Sequence, residues 1–143
     1  MAIYLQGVGA TACKFTVGGT DLTSRLKGIT ISQEYDSVEV TAANATSKAY
    51  LVGLAEDTWT ISLFQDFASN MTDSVFYPLL GSSTGATFVY QTNGGTVTAT
   101  NPKYTLVGTV YSYQPVSGSV GDVSELTVEV KPAAGSTTTR GTS

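Results

Sequence analysis

The sequence predicts an all-β fold, a β-sandwich or barrel-like domain with one short α-helix at about residues 72–80. Three observations predict it. Apolar and hydroxyl side chains alternate with a period of two along most of the chain, clusters rich in Gly, Asn and Ser separate those runs, and only one segment has helical spacing.

Taken in order, the first clear strand covers 28–35, where Ile29, Ile31 and Gln33 share one face and Thr30, Ser32 and Glu34 the other. Over 58–64, Trp59, Ile61 and Leu63 alternate with Thr60 and Ser62, which puts Trp59 in the core. The helix follows over 72–81. Thr72 or Asp73 is placed to cap it and Gly81 to end it, Phe76 and Val75 lie three and four residues before Leu79, and Pro78 limits its length. The runs 86–92 and 96–100 flank Asn93, Gly94 and Gly95, a tripeptide suited to a tight hairpin. Residues 104–114 form a longer Tyr-, Val- and Thr-rich strand on which Tyr111 and Tyr113 share a face, as candidates for an interface stripe. In the last strand, 124–130, Leu126, Val128 and Val130 oppose Glu125, Thr127 and Glu129, after a turn at 118–122.

Three stretches lack a core pattern. Residues 1–19 are Gly-rich and read as an N-terminal arm, 41–48 as a polar loop longer than a hairpin needs, and 132–143 as a flexible C-terminal tail, leaving 20–131 as the β-domain. No repeat of fixed period is present.

Composition narrows the function. Hydrophobic residues make up 41% of the chain but charged residues only 13%, about half the usual ~25%, so the surface is built from hydroxyl and amide groups. Low charge density weakens the defence against association, which suits a subunit made to assemble. The net charge of −4 and the scattered Lys14, Arg25, Lys27, Lys48, Lys103, Lys131 and Arg140 leave no basic footprint for nucleic acid. No apolar run reaches the ~18 residues of a membrane span, and the first ten residues have no basic stretch before an apolar core, so no secretory signal is expected.

Catalytic chemistry finds little to work with. The chain has no histidine, which removes Ser-His and Cys-His nucleophiles and most zinc sites, so no enzyme activity, cofactor or metal is predicted. Cys13 is a single thiol beside Lys14, and allows no internal disulfide. Gly7 and Gly9 begin a dinucleotide fingerprint without its third glycine, and Ser24 with Lys27 matches S-x-x-K without its companion motifs. Asn44 and Asn70 stand in glycosylation sequons that need secretion to be used. Glu56 and Asp57 are an acidic pair in an expected turn before a strand, and neighbouring residues alternate in direction, so the two do not flank a cleft as a glycosidase requires.

Several runs resemble a known family. DLTSRLKGITISQE at 21–34, SVEVTAANAT at 37–46, GLAEDTWTISLFQDF at 53–67, FYPLLG at 76–81, NPKY at 101–104 and GSVGD at 118–122 are similar to the major tail tube proteins of long-tailed, non-contractile bacteriophages, over about residues 20–131. The resemblance implies a β-sandwich subunit without an active site. Such subunits form hexameric rings that stack into a hollow tube, the conduit for DNA ejection into the host. It further implies as partners the chain itself, with tape measure, tail terminator and tail tip proteins, and DNA passing through the lumen without specific binding. Localisation would be the virion tail, after synthesis in the host bacterial cytoplasm, with no membrane binding by the subunit.

Within that expectation, Thr30, Ser32, Glu34, Glu125, Thr127 and Glu129 are candidates to line the lumen, because acidic and hydroxyl groups repel phosphates. An ordinary solvated outer face is the competing reading of the same residues. Thr41, Ala42, Ala43, Asn44, Ala45, Thr46, Ser47 and Lys48 are candidates for contacts between rings, together with the N-terminal arm and the C-terminal tail. Three other functions compete: an immunoglobulin-like capsid decoration or adhesin domain, a carbohydrate-active sandwich, and the tube of a contractile or type VI-like injection machine.

Overall fold

A computed structural model of the chain describes residues 13–143. Eight antiparallel strands run in the sheet order β2-β1-β5-β6-β7-β4-β3, with β8 beside β6. They are β1 (Lys14–Val17), β2 (Thr20–Asp21), β3 (Leu26–Glu39), β4 (Tyr50–Phe64), β5 (Ala86–Gln91), β6 (Lys103–Ser112), β7 (Glu125–Pro132) and β8 (Thr139–Gly141). The sheet folds over on itself, so that β1 and β5 face β3 and β4 across one core. Trp59 of β4 meets Phe88 of β5 edge-on with centroids 6.4 Å apart, and Ile29 and Ile31 of β3 line one cavity with Tyr90 of β5 and Tyr104 of β6. This is the all-β sandwich with a single short helix that the alternation predicts.

Period-two alternation explains the core. Trp59, Ile61 and Leu63 are buried opposite Val130, Val128 and Leu126, while Thr60, Ser62 and Glu129 of the same strands face outward. Each such apolar side chain contributes roughly 1.5–3 kcal/mol by leaving water. The rings of Trp59, Phe88, Phe76 and Tyr113 form a continuous row from β4 through β5 to the helix and the end of β6. Neighbours in such a row add ~0.5–1.5 kcal/mol each beyond burial.

Helix α1 (Thr72–Phe76) continues as a 3-10 turn over Tyr77–Leu79, with Pro78 in that turn. Phe76 is buried, with Val75 and Leu79 packed against the core. Gly81, at φ +73, turns the chain away in a left-handed conformation that side chains avoid. The cap differs from expectation. Neither Thr72 nor Asp73 caps the helix with its side chain; the Asp73 amide donates to the Asp66 carbonyl at 3.1 Å and the Thr72 hydroxyl to the Phe64 carbonyl at 2.9 Å. The last residue of β4 and the loop after it therefore supply the acceptors.

Four other expectations are corrected. The arm assigned to 1–19 lies outside the described residues up to position 12, but Lys14–Val17 is a sheet strand, because Phe15 and Val17 alternate into the core. The hairpin at 93–95 does not form. Residues 92–102 make a loop in which the Asn101 amide donates to the carbonyls of Asn93 and Thr96, and β5 pairs with β6 instead. The stretch 132–143, expected to be free of the sheet, returns to it. β8 pairs with β6, and Thr138 is buried with its amide on the Asp57 carboxylate at 2.6 Å and its hydroxyl accepting from Trp59 Nε1 at 3.0 Å. Its anchors are polar, so an apolar pattern does not reveal them. Tyr111 and Tyr113 do not share a face. A register irregularity between Val110 and Ser112 leaves Tyr111 exposed and lets Tyr113 stack on Phe76.

Candidate assembly surfaces

β3 and β4 are the longest strands, and their register runs from Leu26 opposite Leu63 to Glu39 opposite Tyr50. Only the lower part of this hairpin belongs to the sandwich, since β7 accompanies β4 from Trp59 to Phe64 and no further. Above Asp57 the two strands project beyond the core. The loop 41–48 is the tip of this projection, closed by the Val40 amide on the Ala49 carbonyl at 2.8 Å and the Ala49 amide on the Thr41 hydroxyl at 3.0 Å. Thr41 is half-buried, and Ala42, Ala43, Asn44, Ala45, Thr46, Ser47 and Lys48 are exposed.

The apolar residues below the tip carry a signal that a polar-loop reading passes over. Tyr35, Val38, Val40, Tyr50, Leu51, Val52 and Leu54 are all exposed, Val52 by 77% and Leu54 by 79%. Alternation alone assigns such residues to a core; here the core ends before they begin. At the base of the projection, Gly53 lies against Asp36 where the register shifts by one residue, and a Cβ there would sit 2.9 Å from the Asp36 Cβ. The shift is a β-bulge, which twists the projecting part relative to the sandwich.

The opposite end of the sandwich holds a second exposed apolar group. β4 leaves the core at Phe64 and β7 enters it at Glu125, directly opposite, so loops 65–71 and 113–124 share that end. Phe67, Val116, Val120 and Val123 of these loops are exposed, Val116 by 83%. The molecule thus has two apolar poles separated by the length of its strands, about 23 Å for the seven steps from Asp57 to Phe64.

Between the poles lies a polar face. The register aligns Thr30, Thr60 and Glu129 in one row, Gly28, Ser62 and Thr127 in the next, and sets Ser32 opposite Thr58 and Glu125 opposite Phe64. Thr30, Ser32, Glu34, Glu125, Thr127 and Glu129 therefore share one face of the β3-β4-β7 layer, and β4 adds Thr58, Thr60 and Ser62 between them. Glu34 stands directly opposite Glu56, an unfavourable like-charge pair that Lys131 relieves with its ammonium 3.2 Å from Glu56. Lys27 pairs with Glu125. Four carboxylates (Glu34, Glu56, Glu125, Glu129) against two ammonium groups (Lys27, Lys131) leave the face at −2. An open polar groove of about 510 Å³ runs along its lower end, lined among others by Ser62, Gln114, Glu125 and Thr127. Among the described residues no cluster of acidic or thiol side chains is arranged to hold a metal ion.

No protein-family model matches the chain, and no curated protein sequence does. Solved structures do match in fold. A chain of the virion of a native gene transfer agent particle superposes with a TM-score of 0.69 at 14% identity, over 89% of this chain and 95% of that one. A chain from the tail of an empty gene transfer agent particle, determined by helical refinement with C6 symmetry, gives 0.64 at 14% identity over 94% and 99%. A chain of the six-fold symmetrised anti-feeding prophage baseplate gives 0.53 at 12% identity over 96% and 97%. Coverage of 89% or more on both sides means that the likeness spans the whole fold.

Proposed function

We propose that this chain is a structural subunit of a phage-type tail, which closes into hexameric rings and stacks them into a hollow tube through which DNA is ejected. The observation that carries the reading is the pair of apolar poles at opposite ends of one sandwich. Two different patches on opposite ends make a head-to-tail contact, and a contact of that kind repeats without limit along an axis. The long outer edge of β3, unpaired among the described residues, adds a lateral surface. Edge strands of this length invite pairing with another chain, and a ring removes the edge. The six-fold symmetry of the particles that contain similar folds supports the ring number.

In this reading the β3-β4-β7 face lines the lumen. Its hydroxyl rows and surplus of carboxylates repel the phosphates of a passing duplex, so that DNA slides rather than binds. The loop 41–48 and the hairpin beneath it contact the next ring. The tape measure, terminator and tip proteins are the further partners of such a tube, and the virion tail is its place. A tube or baseplate subunit of an injection machine is the second reading, favoured by the likeness to the anti-feeding prophage chain.

Negative-stain electron microscopy across a concentration series tests the proposal. Hollow tubes or stacked rings of one diameter are expected. A chain that stays monomeric at high concentration and also when seeded with preformed tail tips overturns the reading in favour of a decoration or adhesin domain. In assembled tubes, a cysteine placed by Thr127→Cys in a Cys13→Ser background is expected to resist a thiol reagent too bulky for the channel; ready labelling moves the polar face to the outside.

A further inference from the structure

Among the described residues the projecting part of the β3-β4 hairpin is a ribbon of two strands, because residues 50–58 of β4 pair with β3 alone. Two strands alone are marginal in water unless a face is covered. Here each face carries exposed apolar side chains. Val38 stands opposite Leu51, and Val40 follows on the same face. Val52 stands opposite Ser37 and Tyr50 opposite Glu39, and Tyr35 lies on that second face two residues before Ser37. All six of these side chains are exposed, three to a face, and Leu54 in the bulge beneath them is exposed as well.

We infer that each hairpin is clamped between two further copies of this chain, one against the Val38–Val40–Leu51 face and the other against the Tyr35–Tyr50–Val52 face. This rests on the assembly reading above and specifies how many neighbours each hairpin meets. The occupant is the same chain because its opposite pole exposes Phe67, Val116, Val120 and Val123, an apolar surface equally in want of cover. A single copy seated on one face leaves the three large side chains of the other in water. Three side chains also fall short of the ~800 Å² that each partner brings to a stable interface. Two adjacent copies in a ring present two such poles side by side, and the hairpin enters between them as a wedge. The character of one face changes along its length to match: it is polar at Thr30, Ser32 and Glu34 within the sandwich and becomes apolar at Val38 once past it.

Photo-crosslinking tests the clamp. Benzoylphenylalanine is placed at position 38, at position 52, or at both, and a trace of labelled chain is copolymerised with an excess of unlabelled chain. After irradiation each single-probe chain is expected to give covalent dimers. The two-probe chain is expected to give trimers, at about the product of the two single-probe yields. Tubes in which the two-probe chain gives only dimers, or in which one probe gives no adduct, overturn the clamp and leave the assembly reading standing. Absence of tubes from the unlabelled chain, with and without preformed tail tips as seeds, overturns both. If the bulky probe is excluded from tubes, Val38→Ser and Val52→Ser replace it: each is expected to lower tube yield at least tenfold, and parental polymerisation by either one sinks the clamp.

Discussion

Tyr113 donates its phenolic hydrogen to Asp73 Oδ1 at 2.7 Å, and its oxygen accepts from Gln65 Nε2 at 3.1 Å. One buried ring thereby ties the chain just past β6 to α1 and to the loop after β4. Burial pushes the Tyr113 phenol from 10.0 up to about 12, against the Gln65 donor and with the Asp73 carboxylate adding to the rise. The folded state thus favours the protonated phenol. Its contribution is complete below pH 10 and is lost as pH rises from 10 to 12. Urea melts between pH 8 and 12 are expected to show that fall in the parent and not in Tyr113→Phe, which at pH 7 loses about 1 kcal/mol with its hydrogen bond.

Asp66 behaves in the opposite sense. The Ala68 amide, at 2.8 Å, and the Arg25 guanidinium, at 2.7 Å, hold its carboxyl below the ordinary 3.8. A lowered carboxylate stabilises the fold above its unfolded value, and that stabilisation is lost as pH falls through the folded one. Thermal melts between pH 2 and 5 are expected to show a shallower acid limb for Asp66→Asn than for the parent. Superimposable acid limbs would remove Asp66 from the acid response.

Thr138 closes the sandwich through polar contacts on Asp57, Trp59 and Gln33. Thr138→Val leaves the buried Trp59 N–H without its acceptor and is expected to lower stability by roughly 1–3 kcal/mol. A chain ending at residue 137 also loses β8, and its single tryptophan is expected to shift its emission to the red as water reaches the indole. Unchanged emission from that truncation would show that the last strand does not shield Trp59.

Gly53→Ala addresses the aim of the hairpin. A methyl group there meets the Asp36 side chain at 2.9 Å and its carbonyl at 3.1 Å, far from the core. The melting point is expected to fall by only a few degrees, because the sandwich below is untouched. Tubes are expected to be absent or altered in helical pitch, as measured by electron microscopy. Tubes of parental pitch would show that the bulge does not orient the hairpin.

Alternation made the sandwich legible. Trp59, Ile61, Leu63, Leu126, Val128 and Val130 all lie where their period places them. The same rule put Thr30, Ser32 and Glu34 on one side of their strand and Glu125, Thr127 and Glu129 on one side of theirs; that the two sides form one face follows from β4 lying between β3 and β7, which alternation does not reveal. The hairpin shows where the rule stops. Val38, Leu51 and Val52 have the composition of core residues, and whether a strand outruns its sandwich depends on the length of its neighbour, here β7. The closing segment was hidden for a different reason. Thr138 is held by a carboxylate and an indole N–H about eighty residues away, and hydrogen bonds over that distance leave no periodic trace.

β3 and β4 run from one pole to the other, so a pull applied between the poles travels down covalent backbone. The ladder hydrogen bonds lie across that line. They are strained sideways and together, in shear, instead of being peeled open one after another. In the assembly proposed above, a chain held by its two ends would resist extension like a bundle of parallel cords.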